Sequence, residues 1–443
     1  MAKASGTVQS PLPPEVVFKR VSDFSTTEKW DLVVNAEKTP PVGFVLGWLA
    51  TRLGPADPWM RLPSVLAGAA LVPTVALLGR RCVGPACGVV AAALVACSPF
   101  LLFYGIESRS YSLAALLSCA SVVMLLAALE RSGKLRWIGW VLLTALALLT
   151  HYTSVFVLLA SVAWVAATRP DARRALALSC LGVVVSVAWW IPALITQWGN
   201  SGDEARRIAA LAPLAIDTLA RITSRSLIGY PLGSKFNDTS LTGIPGLPGL
   251  AMIAIGFAIA IGFAIARQTE GQEREPGLRA ETLLLVAMAL ATPFGLILLS
   301  LEPGKSLLLS RNLICSLPAV AVLAAIPISR APLRWALLSA VLVSGGLLFG
   351  SFRELRDFNR PNMSAVAAAI SRGWDPGDRT LQVDYSKGAP LNQDLAIHLS
   401  GAERSSLLYA SELGLAPFEK AKPGSSLFLV AADSSGFRAE ELG

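Results

Sequence analysis

Charge is scarce in this chain: Asp, Glu, Lys and Arg make up 15% of its 443 residues, against a hydrophobic share of 53%. That deficit excludes an ordinary soluble domain, which needs more polar surface to face water. Histidine is almost missing, with two residues, and the six cysteines (Cys82, Cys87, Cys97, Cys119, Cys180, Cys315) fall in or beside apolar runs without the paired spacing of a zinc site. They read as small buried residues. Neither terminal segment contains a cysteine, so no disulfide framework is implied. Internal repeats and low-complexity stretches are absent, and nothing before residue 42 resembles a signal peptide or signal anchor. The net charge of +8 does not point to nucleic acid, because Lys and Arg are spread among short loops rather than gathered on one face.

What the sequence does contain is a series of apolar runs near the length needed to cross a hydrocarbon core of roughly 30 Å. Ten are visible, near 62–80, 85–104, 110–129, 136–149, 153–168, 174–194, 249–267, 281–300, 312–328 and 333–350. The expected fold class is therefore an α-helical polytopic membrane protein with about ten transmembrane helices. The runs at 136–149 and 153–168 are short, and His151 with Tyr152 between them equally suits a single bent helix.

Loop charge gives an expected orientation, since Lys and Arg in short loops resist translocation. Arg80 and Arg81 follow the first run, Arg131, Lys134 and Arg136 the third, Arg169, Arg173 and Arg174 the fifth, Arg267, Arg274 and Arg279 the seventh, and Arg330 and Arg334 the ninth. Every second loop is thereby cytoplasmic. The reading makes residues 1–60 an extracytoplasmic segment, 61–350 the transmembrane domain and 351–443 an extracytoplasmic tail, with both termini outside a plasma (inner) membrane. For sixty polar residues to lie outside ahead of the first run, either an upstream helix is missing from the chain or the first span carries the tail across.

Within the first segment, Pro40 and Pro41 stop any preceding helix and suit the first turn of a new one. Phe44, Val45, Trp48 and Leu49 then recur at helical spacing, predicting an interfacial helix near 41–54 that is too short to span. In the tail, Met363 to Ile370 reads as helix, Asp375-Pro376-Gly377-Asp378 as a turn, and Thr380–Val383 and Ser426–Val430 as strands, together a small α/β module.

Ionisable groups near a membrane boundary are costly unless partnered, which makes them candidates for function. Glu107, Arg109 and Tyr111 follow Tyr104 at the mouth of the third run, where a helix N-terminus with an acidic residue and interfacial Arg and Tyr is the plain structural reading. His151-Tyr152 stands at a helix end, where a histidine is commonly structural. Arg311-Asn312 opens the ninth run after Lys305; snorkelling explains such cations, and so does capture of a lipid-borne phosphate. Glu15, Asp23, Glu28, Asp31 and Glu37 are scattered among Lys19, Arg20 and Lys38, as on a solvated surface.

In order, Thr39-Pro40-Pro41-Val42-Gly43-Phe44, Arg61-Leu62-Pro63-Ser64, Glu107-Ser108-Arg109-Ser110-Tyr111, Thr150-His151-Tyr152 and Ser310-Arg311-Asn312-Leu313 with Pro318 form a succession. It resembles the polyprenyl-phosphate-sugar-dependent glycosyltransferases of the GT-C fold, and more narrowly the bacterial relatives of protein O-mannosyltransferases and aminoarabinose transferases. The resemblance runs from about residue 15 to 380. It implies transfer of a mannose-like sugar from a polyprenyl-phosphate donor to an acceptor lipid, glycan or protein at the outer membrane face. By the same resemblance, Glu15 and Glu107 are the catalytic carboxylates, Arg109, Arg311 and Lys305 bind the donor phosphate, and Arg61, Tyr104, Tyr111, His151 and Tyr152 line the cavity. No cofactor or metal-ligand set is required outright, and a divalent cation remains compatible.

The chain departs from the family pattern at one important place. Members open with a transmembrane helix followed by Asp-Glu about two dozen residues before His-Pro-Pro; here Glu15 falls 24 residues before Thr39, Pro14 replaces the Asp expected as base, and Thr39 replaces the His. Proline cannot accept a proton. A shortened, non-catalytic homologue that binds a lipid-linked sugar therefore stands as an alternative, as does another lipid-phosphate-handling enzyme. A polytopic transporter is a further alternative, although the repeated halves and midplane ionisable groups usual there are not evident.

Overall fold

A computed structural model of the chain describes residues 39–54, 59–131, 133–199, 247–269, 280–301, 306–357, 363–376, 378–383, 407–410 and 427–431, with the isolated positions 215, 216, 219, 399, 402 and 403. These fall into two compact units, one within Asp31–Asp357 and one that includes Phe358–Gly443.

The first unit is helical: α1 (Val42–Ala50), α2 (Leu62–Cys82), α3 (Pro85–Ala96), α4 (Pro99–Gly105), α5 (Tyr111–Glu130), α6 (Lys134–Leu148), α7 (Ser154–Thr168), α8 (Arg173–Val187), α9 (Ile191–Gly199), α10 (Leu247–Thr269), α11 (Ala280–Leu299), α12 (Leu317–Arg330) and α13 (Leu333–Asp357). Proline opens α3 and α4 and lies at the start of α2 and α12, where a missing N–H costs nothing. Ser98 caps α4 by accepting from the Leu101 N–H, and here the run at 85–104 bends by 58° into two helices.

The expected ten spans are not reproduced. Among the described residues, seven helices are long and apolar enough to cross a membrane, or eight if the bent α3–α4 pair is one span. All ten runs are helical, but α6 and α7 have 15 residues each. At 1.5 Å per residue that is about 22 Å, short of a hydrocarbon core of roughly 30 Å.

Side-chain bonds show how the helices run. Arg81 at the end of α2 pairs with Glu130 at the end of α5, Arg136 donates to the carbonyls of Ala127 and Arg131, and Arg169 after α7 pairs with Glu281 at the start of α11. These groups share one end of the bundle. At the opposite end, Ser64 at the start of α2 bonds to Arg109 and Ser112, and Ser110 bonds to Thr150 after α6. Arg81, Arg136 and Arg169 are thus segregated from the candidate residues.

Small residues let helices approach closely. A Cβ on Gly88 of α3 would lie 2.4 Å from the Ala76 carbonyl oxygen of α2, and one on Gly346 of α13 would lie 2.4 Å from that of Gly249 in α10. Trp140, Leu71, Leu78, Leu125, Leu284 and Leu285 fill the core, whereas Leu66, Val89, Leu181, Val185 and Val341 point outward. An apolar exterior around an apolar core is what a lipid solvent requires. Of the cysteines, Cys82, Cys87, Cys119 and Cys315 are buried, Cys97 and Cys180 half-buried, and none is in a disulfide.

The second unit contains α14 (Met363–Gly373), β1 (Arg379–Val383), β2 (Leu407–Ala410) and β3 (Leu427–Ala431). The strands form a parallel sheet in the order β2-β1-β3, with Thr380 opposite both Leu407 and Phe428. The expected turn is present, closed by Asp378 N–H donating to the Asp375 carbonyl and Asp375 N–H donating to the Asp378 carboxylate.

Candidate functional site

The five motifs converge at one end of the helical unit. The start of α1 docks there first: Val42 N–H donates to the Leu149 carbonyl at 3.0 Å, and a Cβ on Gly43 would lie 2.6 Å from that of Ser110. A glycine at that position is what allows the Pro40-Pro41 corner to reach the Glu107–Tyr111 loop. The outward side of α1 carries Val45, Trp48 and Leu49, all exposed, with the Arg52 guanidinium 4.7 Å from the Trp48 ring.

The 106–111 loop is tied to α2 by three bonds. Arg61 donates to the Ile106 carbonyl at 3.2 Å, Ser64 to the Arg109 carbonyl at 2.7 Å, and Ser112 to the Ser64 carbonyl at 2.9 Å. Arg61 thereby acts as a strut for the loop that carries Glu107 and Arg109. Ser110 reaches across to the Thr150 carbonyl at 3.2 Å, joining the third motif to the fourth. Glu107 is half-buried with Oε2 removed from solvent, and Arg109 is exposed.

An aromatic row lies behind the loop. Tyr104 meets Tyr111 edge-on at 5.1 Å, and Tyr111 lies 5.4 Å from the His151 ring. Arg311, half-buried on the 3-10 turn Ser310–Ser316, exerts its charge on both Tyr111 and His151, and the charges of Arg109 and Glu107 also reach Tyr111. Asn312 Nδ2 holds that turn by donating to the Leu307 carbonyl at 2.8 Å. Burial, reinforced by the Arg311 charge, lowers the His151 pKa to about 4, so the ring is neutral at physiological pH.

His151 and Tyr152 diverge. The Tyr152 hydroxyl donates to Gln197 Oε1 at 2.5 Å and accepts from Trp190 Nε1 at 3.0 Å, so Tyr152 faces α8 and α9 rather than the tyrosine row. Tyr152 packs against the small buried cluster of Leu149, Trp190 and Ala193, as Val42 does. Gln197, Trp190, Thr153 and Cys315 were not visible as site residues from sequence: Gln197 follows the sixth run beside Thr196 in an otherwise apolar helix, and Cys315 read as filler. Glu15 and Lys305 lie outside the described residues. Among the described residues no group of three His, Cys, Asp or Glu could hold a metal ion.

No curated protein matches the chain in sequence. Residues 38–198, a little over a third of the chain, match the family model of dolichyl-phosphate-mannose-protein mannosyltransferase. Among solved structures, ArnT from Cupriavidus metallidurans bound to undecaprenyl phosphate superposes with a TM-score of 0.51 at 14% identity, over 90% of this chain and 80% of ArnT. Its apo state gives a TM-score of 0.50 at the same identity and coverage. The chain is a multi-pass membrane protein with the GT-C fold, and its segment 38–198 carries the sequence pattern of the dolichyl-phosphate-mannose-protein mannosyltransferases.

Proposed function

We propose that this protein is a membrane glycosyltransferase that moves a mannose-like sugar from a polyprenyl-phosphate donor to a hydroxyl-bearing acceptor at the outer face of the plasma membrane. The observation that carries the reading is the meeting of Glu107, Arg109, Tyr111, His151 and Arg311 at one end of the bundle, opposite the end bearing Arg81, Arg136 and Arg169. A site flanked by two guanidinium groups suits a phosphate that gains charge as its sugar departs. ArnT, similar in fold, binds undecaprenyl phosphate, which supports a lipid-phosphate donor here.

In the proposed step, an acceptor oxygen forms a bond to the anomeric carbon while the bond from that carbon to the phosphate oxygen breaks. The electron pair stays on the phosphate, where Arg311 and Arg109, with Lys305, balance it. The acceptor proton passes to a carboxylate, Glu107 or Glu15. Tyr104, Tyr111 and His151 line the donor site, while Arg61 and Tyr152 brace it. In this topology residues 1–60 and 351–443, and both termini, are extracytoplasmic.

The test is turnover in proteoliposomes loaded with polyprenyl-phosphate mannose, reading release of free polyprenyl phosphate. Release by the wild type, lost in Arg311→Ala and Glu107→Gln, supports the enzyme. Pro14 in place of an Asp favours a second reading, a homologue that binds the donor without turning it over. Saturable donor binding without release would establish that one. Solute flux retained in both variants, with no donor binding, would overturn both in favour of transport.

A further inference from the structure

Beneath the tyrosine row, hydrogen bonds run from the bundle interior to His151. Ser118 of α5 and Ser154 of α7 meet at 3.1 Å, and each lies 3.8 Å from the Cys315 sulfur. Cys315 lies 3.7 Å from Thr153 Oγ1, which lies 2.8 Å from His151 Nδ1. All five side chains are buried. Such a chain has a direction once one member is fixed, and one is. The backbone N–H of Thr153 donates to His151 Nδ1 at 3.3 Å. An amide nitrogen can only donate, so Nδ1 must be the unprotonated, accepting nitrogen.

The other donors then follow in order. The Thr153 hydroxyl gives its hydrogen to Nδ1, the Cys315 thiol gives its hydrogen to Thr153 Oγ1, and a serine hydroxyl supplies the sulfur. The neutral ring carries its hydrogen on Nε2, and among the described residues no group accepts from Nε2. The ring lies against Tyr111 within the field of Arg311.

Resting on the reading above, we propose that His151 is a catalytic residue that donates its Nε2–H to an oxygen of the donor lipid's phosphate, and that Thr153 and Cys315 are positioning residues that hold it in that tautomer. A neutral donor is the form this place requires. A third cation beside Arg311 would be repelled, whereas an uncharged N–H stabilises the growing charge on the leaving phosphate without opposing the guanidinium. The arrangement follows the general pattern in which the hydrogen bond at one ring nitrogen decides what the other can do.

Two measurements test this. The chain has two histidines, so 15N-imidazole labelling of the full protein in detergent, with His398→Gln to assign the signals, reads the tautomer directly. The expected result is a pyridine-type Nδ1 and a pyrrole-type Nε2 for His151 at neutral pH, shifting only in part toward a tautomer mixture in Thr153→Val, which loses the 2.8 Å hydroxyl bond but keeps the longer 3.3 Å backbone N–H bond to Nδ1. A pyrrole-type Nδ1 in the wild type overturns the proposal.

In the polyprenyl-phosphate mannose assay, His151→Phe and His151→Asn should lose about 10- to 150-fold in kcat/KM, the range of a hydrogen bond to a charged group. His151→Gln, whose amide N–H falls near the Nε2 position, should recover to within about threefold of wild type. Wild-type turnover undiminished in His151→Phe would refute the donor role and leave the glycosyltransferase reading intact. No turnover by any form, with the tautomer as expected, would instead count against the glycosyltransferase reading and the donor role that rests on it.

Discussion

Removing Arg311 should weaken donor binding more than removing Arg109. The residue is half-buried on a pinned turn, whereas Arg109 is exposed to solvent. With a phosphate oxygen about 4 Å from the guanidinium and an effective dielectric near 20, the Coulomb attraction is about 4 kcal/mol. Water entering a half-buried place restores part of that, so the range for hydrogen bonds to charged groups, about 1.5–3 kcal/mol, governs the observable loss. Converted, Arg311→Ala should raise the Kd for polyprenyl phosphate about 10- to 150-fold. Arg311→Lys keeps the charge without the planar fork and should recover only part of it. Titration of the purified protein in detergent gives both values, with thermal unfolding as a check on folding. A Kd in Arg311→Ala within about twofold of wild type, at unchanged Tm, would refute the reasoning.

Other substitutions test the scaffold and the electrostatics. Gly346→Val places a Cβ against the Gly249 carbonyl and Ile253, where backbone cannot yield, and should cost about 1–3 kcal/mol in detergent unfolding. Gly262→Ala in the same α10 has nothing within 4 Å of the new Cβ and should be neutral or stabilising by up to about 1 kcal/mol. Ser64→Ala strips the Arg109 carbonyl of its 2.7 Å bond and should lower stability by about 1–2 kcal/mol. His151 titrates at about 4 in the fold against 6.5 outside it. The unfolded chain thus binds the extra proton, and stability present above pH 6.5 is lost as pH falls toward 4. His151→Gln should flatten that part of the Tm profile, and equal slopes in the two proteins would contradict it.

The helices were legible because apolar runs and turn residues repeat the same message: the run at 110–129 became Tyr111–Glu130, and that at 333–350 became Leu333–Asp357. The count of spans was not, because hydropathy sees composition while the two 15-residue helices fail on length. The run at 85–104 did not show its 58° bend at Ser98-Pro99, whose size depends on what the two halves pack against. Strand β2, four residues of Leu-Leu-Tyr-Ala, is too short to show alternation.

At the site, charge and aromaticity drew attention to Glu107, Arg109, Tyr111, His151 and Arg311. Bonds between residues far apart in sequence did not show: Cys315 and Thr153 are 162 positions apart, and a thiol that fills space looks the same in sequence as one that orients a histidine. Tyr152 adjoins His151 in the chain yet serves α8 and α9, since a break between helices sends neighbouring side chains to different sides.

The central claim is that one phosphate-bearing lipid docks where the five motifs meet. A polyprenyl phosphate carrying a photoreactive group beside the phosphate, irradiated with the protein in proteoliposomes, tests it most directly. Label recovered in peptides containing residues 107–111, 150–153 and 310–312, and competed away by unlabelled polyprenyl phosphate, is the predicted outcome. Competed label confined to the opposite end of the bundle, around Arg81, Arg136 and Arg169, would contradict the account.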